Sequence, residues 1–253
     1  MARKDISDVL NDWPFDPESL NVRRIQGDDD QDKIQLRLDL GLLQMEADGR
    51  PDGERPYDFE NALIYYQNEL ERVVEETGSE KNFTLDSEAL AELQQESIQY
   101  YHRYLCFSEL NDHKGVIRDT KHNLEVLEFV ENNSVEEDEA WSFLQYYPYI
   151  LMMNTQAHVQ LALETESFED AMERIEQSLQ LIRGFNEKWG LKESEQSQRE
   201  IQILEEWKAT VLNKRPVSKY DQLQAELEEA VELEKYERAA QLRDQIEHLQ
   251  QQE

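Results

Sequence analysis

The stretch Phe168-Glu169-Asp170-Ala171-Met172-Glu173-Arg174-Ile175-Glu176-Gln177-Ser178-Leu179 decides the fold. Phe168, Ala171, Ile175 and Leu179 stand three, four and four residues apart, the spacing of one face of an α-helix. A ring followed one turn later by a small residue, then by aliphatics, lets a second helix lie close against the first. The same intervals recur at Phe59, Ala62, Tyr66 and Leu70, and the first two recur at Ile117, Thr120 and Leu124. The preceding helices match as well: Cys106 and Leu110 stand before Ile117 as Ala157 and Leu161 stand before Phe168. The periodicity predicts helices over 58–77, 85–111, 114–131, 136–164, 168–187 and 193–212. Pro148 should kink or break the fourth near Tyr147, because proline lacks the N–H a helix interior needs. Gly78-Ser79, Asn132-Asn133-Ser134 and Trp189-Gly190 supply boundaries.

This opening of each second helix resembles the tetratricopeptide pattern. The resemblance implies antiparallel helix pairs stacked side by side. An ordinary helical bundle satisfies the same spacing, and at the level of sequence both architectures stand.

Ahead of the helices lies one β signal. In Lys33-Ile34-Gln35-Leu36-Arg37-Leu38-Asp39-Leu40-Gly41-Leu42 apolar and polar residues alternate, which places five aliphatics on one face of a strand. With Val22 and Ile25 before it and Gly27-Asp28-Asp29-Asp30-Gln31 as a turn, the pattern predicts a two-stranded hairpin over 21–27 and 32–45. Two strands alone are marginal in water, so the aliphatic face should pack on the helices or on a second chain. The aspartates lack the spaced ligands and closing glutamate of a calcium loop and read as a solvated turn. Trp13-Pro14-Phe15-Asp16-Pro17 forbids a helix in the lead-in and should tuck its rings into a groove on the main body. Ala47 to Pro56, rich in Gly and Pro, reads as a loop or linker. The expected organisation is a segment 1–56 with the β-hairpin, a helical domain 57–212 and a separate element 217–253.

The 253 residues carry a formal net charge of −31, with 38% hydrophobic and 33% charged residues and only 8 Gly and 6 Pro. Scarce turn residues disfavour an all-β fold. So acidic a chain repels phosphate backbones and anionic membranes, so neither direct nucleic-acid binding nor membrane association is expected. The single cysteine, Cys106, excludes an internal disulfide and a cysteine-based zinc module. Met1-Ala2-Arg3-Lys4-Asp5 leads into no apolar run, and no run approaches the ~20 residues that span a bilayer. A cytoplasmic location is expected.

The last segment carries the most specific signal. Leu223, Leu227, Ala230 and Val231 form one apolar stripe, and Tyr236, Ala239, Ala240, Leu242, Ile246 and Leu249 form another, with Pro216 and Ser218 as stop and N-cap ahead of them. Two short helices result, with Ala239-Ala240 sparing bulk where they approach and Tyr236 covering the turn. A pair below about 40 residues cannot enclose a core, so the aliphatics at its free ends, Leu223, Leu227, Ile246 and Leu249, should remain as a docking face.

The run from Leu227 to Ile246 resembles the UVR motif, whose aromatic-Glu-x-Ala-Ala-x-x-Arg-Asp-x-Ile core is matched at Tyr236, Glu237, Ala239, Ala240, Arg243, Asp244 and Ile246. That family includes bacterial excision-repair helicase and nuclease subunits, Clp-type unfoldase ATPases and activators of protein arginine kinases. What the resemblance implies is a helical hairpin used in protein–protein contact, without shared chemistry. Arg243 and Asp244, adjacent on a helix, point about 100° apart; Arg243 can bridge to Glu229 or Glu232, and Asp244 can meet a partner or cap the turn.

No phosphate loop, CxxC pair, nucleophile elbow or HExxH helix occurs. His102 with Cys106 and Glu109 with His113 have metal-ligand spacing, but Cys106 sits at the repeat position of Ala157 and reads as core. No catalytic residue, metal or cofactor is therefore expected. Tyr100, Tyr101, Tyr104, Trp141, Tyr146, Tyr147 and Tyr149 either pack between helices or line a peptide groove. The expected function is a non-catalytic, UVR-bearing adaptor or regulator that docks a protein partner through its terminal hairpin, with pairing of two such hairpins into a homodimer also open. The alternative is an accessory factor of nucleotide excision repair, or of a Clp-type or protein-kinase regulatory system.

Overall fold

The structure, a computed structural model, describes residues 5–191, 195–215, 219–233 and 235–250, the side chains of 195–197, 219–221, 225 and 247–250 excepted. Two compact units emerge, 1–208 and 209–253.

The first unit is mainly helical. After a short helix α1 (Ser7–Asn11) come three strands, β1 (Val22–Gln26), β2 (Asp32–Leu38) and β3 (Gly41–Glu46), and then α2 (Ala62–Thr77), α3 (Ser87–Glu109), α4 (His113–Asn133), α5 (Glu137–Leu144), α6 (Tyr147–Glu164), α7 (Phe168–Lys188) and α8 (Glu195–Lys214), the last running into the second unit. The expected helices are all present within a few residues, and α1 adds a short one in the lead-in, where none was expected; it ends ahead of Pro14, so the prolines bound it rather than forbid it. Pro148 does not kink a long helix but ends one and starts another: it lies in the first turn of α6, where its missing N–H costs nothing.

Helices α3, α4, α6 and α7 pack side by side in chain order. Their cross-links run antiparallel, since each joins residues about equally far from the intervening turn: Arg103 to Asp119 across the α3–α4 turn, Thr155 to Ser178 across the α6–α7 turn. The small residues picked out by spacing sit where helices touch. Ala62, Cys106, Thr120, Ala157 and Ala171 are all buried. Thr120 and Thr155 add hydrogen bonds at those contacts, Asn154 Nδ2 donating to Thr120 Oγ1 at 2.9 Å and Thr155 and Ser178 sharing a proton at 2.6 Å. Gly115 belongs to the same device, for a Cβ there would stand 2.7 Å from the Phe107 ring.

The sheet departs from expectation. It has three antiparallel strands, in the order β1-β2-β3, because the predicted second strand folds back at Asp39-Leu40. Leu38 pairs with Gly41 across this turn, and Leu40 stands 89% exposed at its tip. Arg37 explains the fold-back. Its guanidinium collects the carbonyls of Leu38, Asp39 and Gly41, the last two at 3.1 and 3.0 Å, a clamp that alternation of apolar residues cannot signal. Only Ile34 and Leu36 of the five aliphatics are buried. With Met45 and Ala47 they join Cys106, Phe107, Val116 and Ala157 in one cluster, so the sheet packs on the helices.

Trp13 and Phe15 do not enter a groove among the helices. The Arg23 guanidinium lies 4.2 Å over the half-buried Trp13 ring and that of Arg37 5.9 Å from the exposed Phe15. Nor is 47–56 a free linker. Arg103 donates to Glu46 O at 2.9 Å, Arg118 to Ala47 O at 2.8 Å, and Arg50 Nε lies 3.0 Å from Glu96 Oε2. In the Gly27–Gln31 turn, Asp29 is engaged by Lys33 Nζ at 2.6 Å.

The second unit contains α9 (Lys219–Glu232) and α10 (Tyr236–Gln250), a helical hairpin. Ser218, expected as N-cap, lies outside the described residues.

Candidate functional site

Three groups of residues compete for the description of functional site: the terminal hairpin, the titratable groups of the body and its aromatic cluster.

In the hairpin, Leu223, Ala230, Ala239, Leu242 and Ile246 are buried in one cluster, with Leu227 half-buried against it. The expectation that Leu223 and Ile246 lie uncovered at the free ends is therefore corrected: the two stripes face each other and cover themselves. Leu249 lies outside the residues whose side chains are described. Among the described side chains, the uncovered apolar surface is at the other end. Val231 is 51% exposed, Leu233 53% and Tyr236 68%. Tyr236 does not close the turn as predicted, and Ala240 is exposed, so of the Ala239-Ala240 pair only Ala239, together with Ala230 of the facing helix, gives the helices room to approach. Backbone closes the turn instead: Leu233 N donates to Glu229 O at 3.0 Å and Lys235 N to Ala230 O at 2.8 Å.

The polar positions of the motif also face outward. Glu237, Arg243 and Asp244 are exposed. The predicted bridge from Arg243 to Glu229 or Glu232 is not formed; Arg243 Nη2 reaches its neighbour Asp244 at 3.3 Å, a solvent-exposed contact of little energetic weight. A helix-to-helix ion pair among the described residues is Arg238–Glu226 at 2.8 Å, which the sequence does not single out because charges are frequent on both helices. Thus, of the motif positions, Ala239 and Ile246 build the hairpin, while Tyr236, Glu237, Ala240, Arg243 and Asp244 present themselves to solvent.

In the body, the buried charged residues Arg103, Asp119 and Glu96 are engaged within the protein. Arg103 and Asp119, both fully buried, form a bidentate pair at 2.6 and 2.8 Å. Glu96, also fully buried, accepts from the N–H groups of Ala62 and Leu63 at 2.7 and 3.2 Å and so caps the start of α2. His122 Nε2 lies 3.2 Å from Glu96 Oε1, its ring stacked on Tyr100. Burial alone would raise the Glu96 carboxyl, but His122 and the two N–H groups outweigh it and hold the carboxyl below its usual range. Glu200 is the opposite case. It is buried, its Oε2 has no hydrogen-bond partner among the described residues, and burial pushes its carboxyl up.

The residues with metal-ligand spacing are not brought together. His102 lines a groove, while burial in the apolar cluster pushes the Cys106 thiol up to about 12, away from its reactive thiolate form. His113 faces Glu164 at 3.6 Å. Among the described residues no group of three His, Cys, Asp or Glu is placed to hold a metal ion. The aromatics divide. Tyr100 is buried, and Trp141 and Tyr147 pack on Phe185, whereas Tyr101, Tyr104, Tyr146 and Tyr149 line a groove. Tyr104 does both, being 1% exposed as well as part of the groove's lining.

Comparison with known proteins agrees with the hairpin. Residues 219–252 match the UvrB/uvrC motif family. No curated protein matches the chain. Among solved structures, the DHF79 filament is similar at 17% identity over 75% of this chain and 86% of that chain, with a TM-score of 0.37. The de novo designed helical repeat protein DHR64 is similar at 18% identity over 75% and 92%, with the same TM-score of 0.37.

Proposed function

We propose that this protein is a non-catalytic adaptor or regulator that docks a protein partner through the exposed face of its UVR hairpin. One observation carries the reading. The motif specifies more than the hairpin needs, since Tyr236, Glu237, Ala240, Arg243 and Asp244 match the family core yet contribute nothing to the buried cluster. Side chains unused inside a module are available to something outside it. Val231, Leu233 and Tyr236 supply apolar surface, Ala240 a place for close approach, and Glu237, Arg243 and Asp244 a charged rim, the arrangement of a small interface with an apolar centre.

The partner is a protein. The charge of −31 opposes a direct approach to nucleic acid, so any tie to excision repair runs through a repair subunit. No described helix is long and apolar enough to cross a membrane, and we assign the protein to the cytoplasm. The adaptor role is tested by affinity purification of the full chain beside a chain lacking 217–253. Proteins recovered by the first and lost by the second are expected; identical recoveries would overturn the reading. If the protein recovered is a second copy, the hairpin is a dimerisation element.

A further inference from the structure

The charge around the hairpin's exposed apolar patch is one-sided. Glu228, Glu229, Glu232 and Glu237 flank Val231, Leu233 and Tyr236 along the chain, and all of them are exposed. None of these four carboxylates takes part in an ion pair among the described residues. Lys235 is the exposed cation of the turn itself, and Arg238, the next along α10, is tied to Glu226 at 2.8 Å. An apolar patch bordered by unmatched carboxylates favours a partner whose own apolar residues are bordered by lysine or arginine, and repels one bordered by acid.

The end of α9 points the same way for a different reason. A helix leaves its last carbonyls open and its C-terminus partly negative, so a cation is favoured there. At the ends of α2 and α4 acidic residues are met from within, Glu76 by Arg72 at 3.2 Å and Glu131 by Lys188. The last turn of α9 holds Glu229 and Glu232 and no basic residue. Negative backbone and negative side chains coincide there, beside Val231 and Leu233, and a cation supplied from outside is attracted by both. A second copy of this chain is a poor source, since it brings the same carboxylates to the contact and a further charge of −31.

We infer that the hairpin face receives a cationic amphipathic segment of the partner protein, aliphatic residues flanked by lysine and arginine, with a cation set against the C-terminal end of α9. The aliphatics cover Val231, Leu233 and Tyr236, and the cations meet Glu228, Glu229 and Glu232. This assignment rests on the adaptor reading and adds the chemistry of the partner to it.

The test uses the full chain and two blocked peptides, Lys-Ala-Leu-Arg-Ala-Leu-Leu-Lys-Ala-Leu-Arg-Lys and a twin with glutamine in place of every lysine and arginine, with binding located by amide NMR shifts. The cationic peptide is expected to shift Val231 to Tyr236, and the twin to bind there roughly tenfold more weakly. Raising salt from about 0.05 to 0.5 M should weaken the cationic peptide and leave the twin unchanged. Glu228→Gln/Glu229→Gln/Glu232→Gln should erase the preference between the peptides, whereas Leu233→Ser/Tyr236→Ser should weaken both. Equal binding of the two peptides at the turn would overturn the cationic assignment while leaving the docking face in place. Shifts confined to the body, or no binding of either peptide at about 1 mM, would also overturn it. A full chain that sediments as a dimer and becomes a monomer on Leu233→Ser/Tyr236→Ser would overturn it in favour of a second copy. Failure of the adaptor reading itself shows separately, as identical recoveries with and without 217–253.

Discussion

The helical body and the terminal hairpin are made of the same helix-forming residues but are held by different means. The body threads charge through its interior. Arg103 and Asp119 are sealed between α3 and α4, Arg118 reaches Asp119 from the edge at 2.9 Å, and Glu96 ties α2, α3, α4 and the Arg50 loop to one carboxylate. Among the described residues, the hairpin has one small apolar cluster and two ion pairs, Arg238–Glu226 and Arg243–Asp244, left in solvent. Buried charges tolerate few geometries, whereas a two-stripe hairpin needs only its spacing. What the hairpin does not use for itself it displays.

The contrast can be broken first at the buried pair. Asp119→Ala leaves Arg103 buried and uncompensated and should cost about 3–5 kcal/mol of body stability in urea denaturation. Loss of less than ~1 kcal/mol would show that the network is dispensable. Leu242→Ala empties the centre of the hairpin cluster and should cost about 2–4 kcal/mol there, read by hydrogen exchange in α9 and α10, with the body's unfolding unchanged. Gly115→Ala drives a methyl into the Phe107 ring and should cost about 1–3 kcal/mol.

The smallest effects have opposite signs and separate two buried carboxylates. Glu96, held below its usual range, contributes stability above the unfolded-state carboxyl pKa that is lost as pH falls through the lower folded value. Glu200, held above its usual range, contributes stability at acid pH that is lost as pH rises through its raised value. Glu96→Gln should therefore destabilise at neutral pH and converge on the parent in acid. Glu200→Gln should match the parent in acid and exceed it at neutral pH by about 1 kcal/mol, visible as a higher melting temperature.

These differences also explain what the sequence could and could not tell. Periodicity located the helices because each has a buried stripe, and it located Ala62, Thr120, Ala157 and Ala171 at crossings because close approach demands small residues. The Asp39-Leu40 turn was illegible, since Arg37 makes it by collecting carbonyls and an arginine in an alternating pattern looks like any outward polar residue. The charged network was equally hidden: Arg103 and Asp119 are two ionic residues among many until α3 and α4 are laid together. At the hairpin, the motif is legible in the sequence and its uncovered face is not. Counting apolar residues predicted surplus surface but placed it at Leu223 and Ile246, whereas facing stripes cover those and expose Val231, Leu233 and Tyr236 at the turn.

That turn is where the adaptor account is most directly measured. The affinity of the full chain for its recovered partner is compared with that of a Leu233→Ser/Tyr236→Ser variant, with circular dichroism confirming unchanged helix content. Removing two half-exposed apolar anchors should weaken binding at least tenfold, because little else at this end of the hairpin can exclude water. Equal affinity in the two proteins would contradict the account.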